Sequence, residues 1–345
     1  MIPRKRVETM FSFHPVDKPV IDCIVMDAAY YEHGEKLLDL MRSLDGDFGH
    51  LPDGSNRPLP KPEDYDEEGR YCVTFVDAWG TTWHKRIFGI MGHPIAWPLD
   101  DWAKLDDYKF PEQKRLTDAE AAVLRAESDN IREQGYYTIE GWVDYFERTH
   151  AVRRFEDVLM DIATRDENFL RFTERLHEYN KIAVENMLKT GVDCIRFAGD
   201  FGTEQALIIS PKDFRKIYKP LLTELVDIVK KAGKRAIYHS CGYIVPLLAD
   251  FKEIGFDGLW PQLDVHNLSE FAAQCRELLL AVAIHPGRRA LMSLGTPEDV
   301  KKRIREYHDL FKPNEGGAWY HLEIDNDFPY ENIEAMVETI RALRN

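Results

Sequence analysis

The sequence predicts an α/β protein whose single domain, over residues 1–345, is a (β/α)8 barrel with excursions in its N-terminal part. Short apolar runs alternate with amphipathic helical stretches in the C-terminal part, which is typical of parallel βαβ units. The length of 345 residues falls within the range of one α/β barrel. The sequence contains no internal repeat of solenoid period that would favour another architecture.

The regular βα units are predicted over residues 137–345. The predicted strands share a short apolar run: 137–142, 194–198, 235–239, 258–260, 279–284 and 319–324. Helical periodicity covers 155–163, 167–188 and about 330–343. Ser210-Pro211 and Thr296-Pro297 each place a capping hydroxyl before a proline at the first helical position, and Gly233 ends the helix that Ser210 begins.

The first part of the chain, residues 1–136, is less regular. Residues 47–70 are rich in Gly, Pro, Asp and Glu, and residues 92–115 are rich in Pro, Asp and Trp. Such compositions predict long loops or an excursion from the barrel rather than a linker between domains.

Composition and charge exclude several classes of protein. Hydrophobic residues make up 44% and charged residues 30%, which is a globular balance. The formal charge is −15 and no basic stripe is present, so we expect no nucleic-acid partner. The sequence lacks a Walker A loop, a dinucleotide-binding glycine motif and a G-x-S-x-G elbow, which disfavours nucleotide-dependent and serine-hydrolase mechanisms.

The same sequence indicates a cytoplasmic location. It has neither the apolar core of a signal peptide nor an apolar run of membrane-spanning length, so we expect no membrane association. Its five cysteines are odd in number and widely spaced, which suits a reduced compartment better than a disulfide framework.

The strongest local motif is Tyr238-His239-Ser240-Cys241-Gly242, at the end of a predicted strand. Side chains two residues apart on a strand share a face, so His239 and Cys241 can present a nitrogen and a sulfur to one point. This arrangement is half of a zinc site. The alternative is structural: His239 forms a hydrogen bond at the strand end and Cys241 packs as a small buried residue.

A catalytic zinc ion needs a further protein ligand, which the last predicted strand can supply. His321, Glu323 and Asp325 share a face at its end, and the strand ends of a closed barrel converge on one mouth. We predict zinc bound by His239, Cys241 and Glu323, with Asp325 as the second choice for the third ligand.

A second polar cluster, residues 199–205, follows another predicted strand. Asp200 lies where barrel enzymes carry acids and bases, and we predict a catalytic role for it; a turn or helix-capping aspartate is the alternative. The predicted substrate contacts all lie in or beside strand-end motifs: Glu140, Gln205, Tyr238 and Asp325.

Several motifs, taken together and in order, resemble the uroporphyrinogen decarboxylase-like superfamily. The resemblance covers about residues 140–345 and is looser through Trp79-Gly80 and Trp97-Pro98-Leu99. The motifs that carry it are Gly199-Asp200-Phe201-Gly202-Thr203, Ser210-Pro211-Lys212-Asp213-Phe214-Arg215, His239-Ser240-Cys241-Gly242, Gly295-Thr296-Pro297-Glu298-Asp299-Val300 and Pro329-Tyr330-Glu331-Asn332-Ile333.

The resemblance implies a (β/α)8 barrel and one of two activities, heme-pathway decarboxylation or corrinoid-linked methyl transfer. The decarboxylases carry an arginine-rich R-Q-A-G-R segment that is absent from residues 1–50, so the methyltransferase branch is favoured. Its thiol-activating members bind zinc through an H-x-C pair and a cysteine near the C-terminal end. His239 and Cys241 match the pair, whereas the matching strand end carries Glu323 in place of the cysteine.

A ligand set with one thiolate and a carboxylate suits an oxygen or nitrogen leaving group better than a thiol substrate. The resemblance therefore implies a zinc-assisted methyltransferase. It would move a methyl group from a small methylated substrate, such as an O-methyl aromatic compound, to cobalamin on a partner corrinoid protein. The resemblance also implies a homodimer.

Two other functions remain open from the residues alone. One is a metal-independent, decarboxylase-like lyase acting on a non-porphyrin acid, for which Asp200 and a nearby cation such as Arg196 or Lys219 would matter. The other is a non-catalytic barrel that binds a small ligand or a corrinoid protein without turnover. Metal content separates the methyltransferase from the lyase.

Overall fold

A computed structural model describes residues 1–49, 54–55 and 57–344. The strands in these residues are β1 (Val20–Val25), β2 (Val73–Val76), β3 (Thr82–Lys85), β4 (His93–Ala96), β5 (Ile139–Asp144), β6 (Cys194–Ala198), β7 (Arg235–Ser240), β8 (Gly258–Pro261), β9 (Ala281–Ile284) and β10 (Ala318–Ile324). Seven of these described strands form one parallel sheet in the order β1-β10-β9-β8-β7-β6-β5. The predicted α/β class and parallel sheet are confirmed.

Twelve α-helices lie in the described residues and, from β5 onward, connect successive strands. They are α1 (Pro3–Phe11), α2 (Asp27–His33), α3 (Glu35–Arg42), α4 (Asp118–Glu133), α5 (Phe146–Val152), α6 (Phe155–Thr164), α7 (Glu167–Lys189), α8 (Pro211–Lys231), α9 (Leu248–Ile254), α10 (Leu268–Glu277), α11 (Pro297–Phe311) and α12 (Tyr330–Arg344). A π-helical segment, Arg288–Ser293, follows β9. None of the described helices is both long and apolar enough to cross a membrane.

The predicted helix starts are confirmed by their caps. The Ser210 hydroxyl accepts a hydrogen bond from the Asp213 backbone N–H at the start of α8. Thr296 and Asp299 exchange side-chain and backbone hydrogen bonds at the start of α11. These caps satisfy N–H groups that have no partner within the helix. Helix α8 then buries Phe214, Tyr218 and Leu222, spaced four residues apart, on one face.

The two edge strands of the parallel sheet, β1 and β5, lie on either side of Asp47. The Asp47 N–H donates to the Ile21 carbonyl of β1, and the Asp47 carbonyl accepts from the Tyr137 N–H just before β5. The Asp47 carboxylate, fully buried, also accepts from the Ile21 N–H and pairs with Arg6 and Arg344. Asp47 thus links the two edge strands of the seven-stranded sheet, at the position where the predicted eight-stranded barrel would have one more strand.

The irregular N-terminal part contains more regular structure than the sequence predicts. Strand β1 was not predicted, and β2, β3 and β4 form a separate antiparallel sheet. Residues 92–115, predicted as a long loop or an excursion from the barrel, contain β4, a four-residue strand whose pattern in the sequence is hidden by Pro94. Part of the loop predicted over 47–70 lies outside the described residues.

Candidate functional site

The carboxyl ends of the parallel strands border a cavity of about 920 Å³. Residues from β5, β7, β8 and β10 and from the loops after β6 and β9 line it. They include Trp142, Asp200, Glu204, Gln205, His239, Cys241, Trp260, His285, Arg288, Arg289 and Glu323. Parallel strands direct their ends to one edge of the sheet, which explains why residues distant in sequence meet here.

His239 and Cys241 meet at the end of β7 as the strand period predicts. The Cys241 Sγ atom lies 3.6 Å from His239 Nε2. The His239 side chain is 12% exposed, and Cys241 is half-buried. Both therefore present ligand atoms to the cavity while most of each side chain is shielded from water.

Asp200 joins this pair from the loop after β6. Its Oδ1 atom lies 3.5 Å from His239 Nε2 and accepts a 2.7 Å hydrogen bond from the Cys241 N–H. In the described part of the chain, Asp200, His239 and Cys241 are the one set of three metal-ligating side chains whose ligand atoms all lie within 4.8 Å of one another. We call these three residues the strand-end cluster.

Two glycines allow the loops that carry the cluster to approach each other. A Cβ atom on Gly202 would lie 2.4 Å from the Tyr243 nitrogen, and one on Gly242 would lie 2.1 Å from the Gly202 carbonyl. Gly242 also has a φ of +76°, which side chains disfavour. Any larger residue at these positions would separate the loop of Asp200 from that of Cys241.

Burial sets the protonation of the cluster in the absence of a bound cation. Burial lowers the pKa of His239 to about 4, against the opposing effect of the Asp200 carboxylate. Burial and then Asp200 raise the pKa of the Cys241 thiol. The imidazole and the thiol are consequently neutral near pH 7. A neutral imidazole nitrogen is ready to bind a metal, whereas the thiol must lose its proton to do so.

Glu147, near the start of α5, lies beside the site and contacts the cavity residue Trp142. Burial raises its pKa to about 8, and the nearby Asp200 and Asp144 carboxylates add to the effect. Its Oε2 atom accepts a 3.3 Å hydrogen bond from the Trp142 indole. The adjacent Arg148 guanidinium lies 3.8 Å from the Asp144 carboxylate.

A buried polar layer lies beside the cluster around the Trp260 indole. The His239 and His321 ring centroids are 4.3 Å and 4.1 Å from that of Trp260, and the Arg196 guanidinium lies 5.2 Å from it. His321 Nδ1 and an Asp22 carboxylate oxygen are 2.8 Å apart. Within the described residues, His321 Nε2, Trp260 Nε1 and Arg196 Nε have no hydrogen-bond partner. These atoms are available to a bound molecule.

The other residues predicted for the site lie in three different places. Glu323 and Gln205 line the cavity but are outside the strand-end cluster. Asp325 is buried and forms an ion pair with Arg288. Tyr238 is buried against Phe251 and Phe256, on the opposite face of β7 from His239.

Glu140 lies in a neighbouring cavity, between β5 and the helical layer, where burial raises its pKa. The structure thus groups His239 and Cys241 with Asp200 rather than with Glu323. It brings Gln205 to the same cavity and leaves Tyr238 and Glu140 away from it. Their predicted contacts with substrate stay predictions.

The geometry of the strand-end cluster fits a zinc ion. Zinc bonds of about 2.0–2.3 Å in a tetrahedron place neighbouring nitrogen, oxygen and sulfur ligands about 3.3–3.6 Å apart. The measured separations from His239 Nε2 are 3.5 Å to Asp200 and 3.6 Å to Cys241. Three protein ligands leave a fourth position toward the cavity, as catalytic zinc sites do.

One family model and several solved structures match this chain. The family model for uroporphyrinogen decarboxylase (URO-D) matches residues 148–343. A methyltransferase from Methanosarcina mazei aligns over 100% of both chains, with a TM-score of 0.62 and 15% identity. A sugar phosphate isomerase/epimerase from Parabacteroides distasonis aligns over 96% of each chain, with a TM-score of 0.40 and 13% identity. No curated protein matches the sequence.

Proposed function

The chain belongs to the uroporphyrinogen decarboxylase family, and we propose that it is a zinc-assisted methyltransferase of that family. It would take a methyl group from a small methylated compound, such as an O-methyl aromatic, and deliver it to a corrinoid carrier protein. The observation that carries the proposal is the convergence of Asp200, His239 and Cys241 at the wall of the strand-end cavity.

In this proposal, His239 and Cys241 hold the metal, with Asp200 as the third ligand in place of the predicted Glu323. When bound, zinc would act as a Lewis acid on the leaving oxygen, and the partner's corrinoid would accept the methyl group. Glu323 stays within the cavity, where it would orient the substrate. If Glu323 is nonetheless the ligand, Asp200 keeps the catalytic role first predicted for it.

The cavity walls suit an aromatic substrate. Trp142 and Trp260 stand nearly perpendicular, at 80°, with ring centroids 6.0 Å apart. Trp142 is 44% exposed, so its ring faces an incoming molecule. A planar ring can stack on one indole and meet the edge of the other, a favourable arrangement for aromatic groups.

The proposal also includes barrel closure, a cytoplasmic location and dimerisation. The seven-stranded sheet would close as a barrel, with the segment at Asp47 between its edge strands in place of a regular eighth strand. The chain would act in the cytoplasm as a homodimer.

A methyl-transfer assay tests the function. The zinc-loaded protein is incubated with cob(I)alamin and methoxybenzene derivatives, and methylcobalamin is followed by its visible absorbance. We expect formation that falls at least about a hundredfold in His239→Ala, the range seen when a group that stabilises the transition state is removed. Cys72→Ser, which replaces an exposed cysteine far from the cluster in sequence, is the control and should retain activity. Equal rates in wild type and His239→Ala would contradict the proposal.

Arg196 favours a second candidate, the metal-independent lyase on a non-porphyrin acid. Among the described residues, Arg196 stacks on Trp260 but has no carboxylate partner, so a substrate carboxylate could pair with it. Lys219, the other cation considered, is already paired with Asp250 and Glu253. Release of carbon dioxide from an acid substrate by chelator-treated protein would favour the lyase, since no metal would then be needed.

A further inference from the structure

A second cavity lies at the opposite end of the parallel sheet, where the strands begin. Its volume is about 540 Å³, and it is bordered by α1, the end of α8 and the start of β7. The chain carries a net charge of −15, yet five of the residues that line this cavity are cations: Arg4, Lys5, Lys230, Lys234 and Arg235. We call these five residues the basic cluster.

Too few carboxylates accompany the basic cluster to neutralise it. Asp193, buried, lies 2.7 Å from Arg4 and 3.5 Å from Lys234. Asp257 lies 2.7 Å from Lys230 and 2.9 Å from Arg235. Each of these carboxylates therefore serves two lining cations, and Asp193 lies 4.0 Å from Arg132 as well.

Lys5 is the lining cation with the greatest freedom. It is exposed, and no ion pair involves it in the part of the chain that the structure describes. Glu8, which also lines the cavity, lies 3.5 Å from Arg4 instead. The lining as a whole keeps a surplus of positive charge.

One further lining residue, His14, contributes an imidazole N–H that suits an oxyanion. The Thr9 and Ser12 hydroxyls, which also line the cavity, donate to the Lys5 and Glu8 carbonyls of α1. Burial lowers the pKa of the Lys234 ammonium, against the opposing effect of Asp193, and Arg132 and Arg4 lower it further. An added anion would relieve this crowding of cations.

We propose that this cavity binds a phosphoryl group through the basic cluster, at a site separate from the strand-end cavity. Lys and Arg are the usual partners of phosphate oxygens. Two diphosphate sources share this chemistry, free pyrophosphate and the diphosphate of a nucleotide. The site rests on the amino-end residues alone, so it stands or falls independently of the methyltransferase proposal.

Isothermal titration calorimetry of the full chain tests the site. Inorganic phosphate, pyrophosphate and ADP are titrated separately in a phosphate-free buffer at constant ionic strength. We expect saturable binding at one site per chain, with pyrophosphate tighter than phosphate because it offers more charge to the cluster. ADP binding tighter than pyrophosphate would identify a nucleotide as the ligand, and weaker binding would identify the free diphosphate.

Two variants and a matched control locate the binding. Lys5→Gln removes the unpaired cation, and Lys234→Gln leaves Asp193 paired with Arg4, so both should fold. Each should weaken pyrophosphate binding roughly tenfold, the loss expected for one charge-assisted hydrogen bond. Lys302→Gln removes an equal charge from exposed helix α11 and should change nothing. No saturable binding to wild type, or equal affinity in all four proteins, would overturn the proposal.

Discussion

The two ends of the parallel sheet differ in whether their buried polar groups have partners within the protein. At the amino end, buried charges are paired directly: Asp47 lies between Arg6 and Arg344, and Asp193 contacts Arg4. At the carboxyl end, His321 Nε2 and Trp260 Nε1 lack partners in the described residues. Paired groups hold a fold together, whereas unpaired ones keep capacity for a ligand.

The comparison predicts that removal of a paired, buried charge at the amino end costs stability, whereas removal of a ligand atom at the carboxyl end costs function. The largest expected effect is that of Asp47→Ala. This change removes a fully buried carboxylate and leaves the Arg6 and Arg344 guanidinium groups without it. We expect a loss of about 3–5 kcal/mol in the free energy of unfolding. Denaturant unfolding measures it.

Asp45→Ala is the matched control for Asp47→Ala. Asp45 is two residues away and its side chain is 67% exposed. In the part of the chain that the structure describes, its carboxylate forms an ion pair with Lys18 alone. Removal of such a surface pair should cost less than about 1 kcal/mol. Similar losses from the two variants would refute the structural role assigned to the buried pair.

Gly242→Ala should have the next largest effect, because it acts on backbone packing at the carboxyl end. The added Cβ would overlap the Gly202 backbone at 2.1 Å and would strain a residue with a φ of +76°. We expect a loss of roughly 2–3 kcal/mol together with weaker zinc binding, because the loops of Asp200 and Cys241 must separate. Unfolding and zinc titrations of the same sample measure both.

Gly233→Ala is the control that measures the cost of a positive φ alone, without the steric overlap expected in Gly242→Ala. Gly233 has a φ of +70° and follows the end of α8, and a Cβ atom added to it would meet no other atom within 4 Å. The variant should lose only about 1 kcal/mol and keep its zinc affinity. A Gly242→Ala protein as stable as Gly233→Ala would show that the loops do not need their close approach.

Glu147→Gln tests how the stability of the carboxyl end depends on pH. The folded-state pKa of Glu147 is about 8, raised from an ordinary value of 4.5 by burial and then by Asp200 and Asp144. A raised carboxyl pKa means that the folded state holds a proton that the unfolded state loses, so stability falls as pH rises from about 4.5 to 8. Gln mimics the neutral acid and removes this dependence.

The measurement is the difference in unfolding free energy between Glu147→Gln and wild type, in chelator-treated protein. It should grow with pH by up to about 1 kcal/mol per pH unit between pH 5 and pH 8. Glu204→Gln changes an exposed carboxyl that lines the strand-end cavity and is the control. A flat difference for Glu147→Gln would refute its assignment as a buried, neutral acid.

The sequence predicted the C-terminal part of the fold well because local signals agree there. Strand β6 matches its predicted bounds, and β7 and β10 differ from theirs by one residue. Strands β2, β3 and β4 were missed because four-residue strands carry little local signal, and β1 was missed because Asp22 interrupts its apolar run.

The site was predicted only in part, for a related reason. The two-residue period of a strand was enough to bring His239 and Cys241 together. The third member of the cluster depends on the distance between β6 and β7, which are neighbours in space, whereas Glu323 lies on β10. The segment around Glu147 was predicted less well, because the predicted strand stopped at residue 142, while β5 continues to Asp144 and α5 begins at Phe146.

The most direct test of the central claim is the metal content of the purified protein by elemental analysis, with Cys241→Ser, Asp200→Asn and Glu323→Gln measured alongside wild type. We predict about one zinc ion per chain in wild type and in Glu323→Gln, and loss of zinc in the other two variants. Loss of zinc in Glu323→Gln with retention in Asp200→Asn would restore Glu323 as the ligand. A wild-type protein that neither contains zinc nor takes it up would contradict the metal-assisted mechanism.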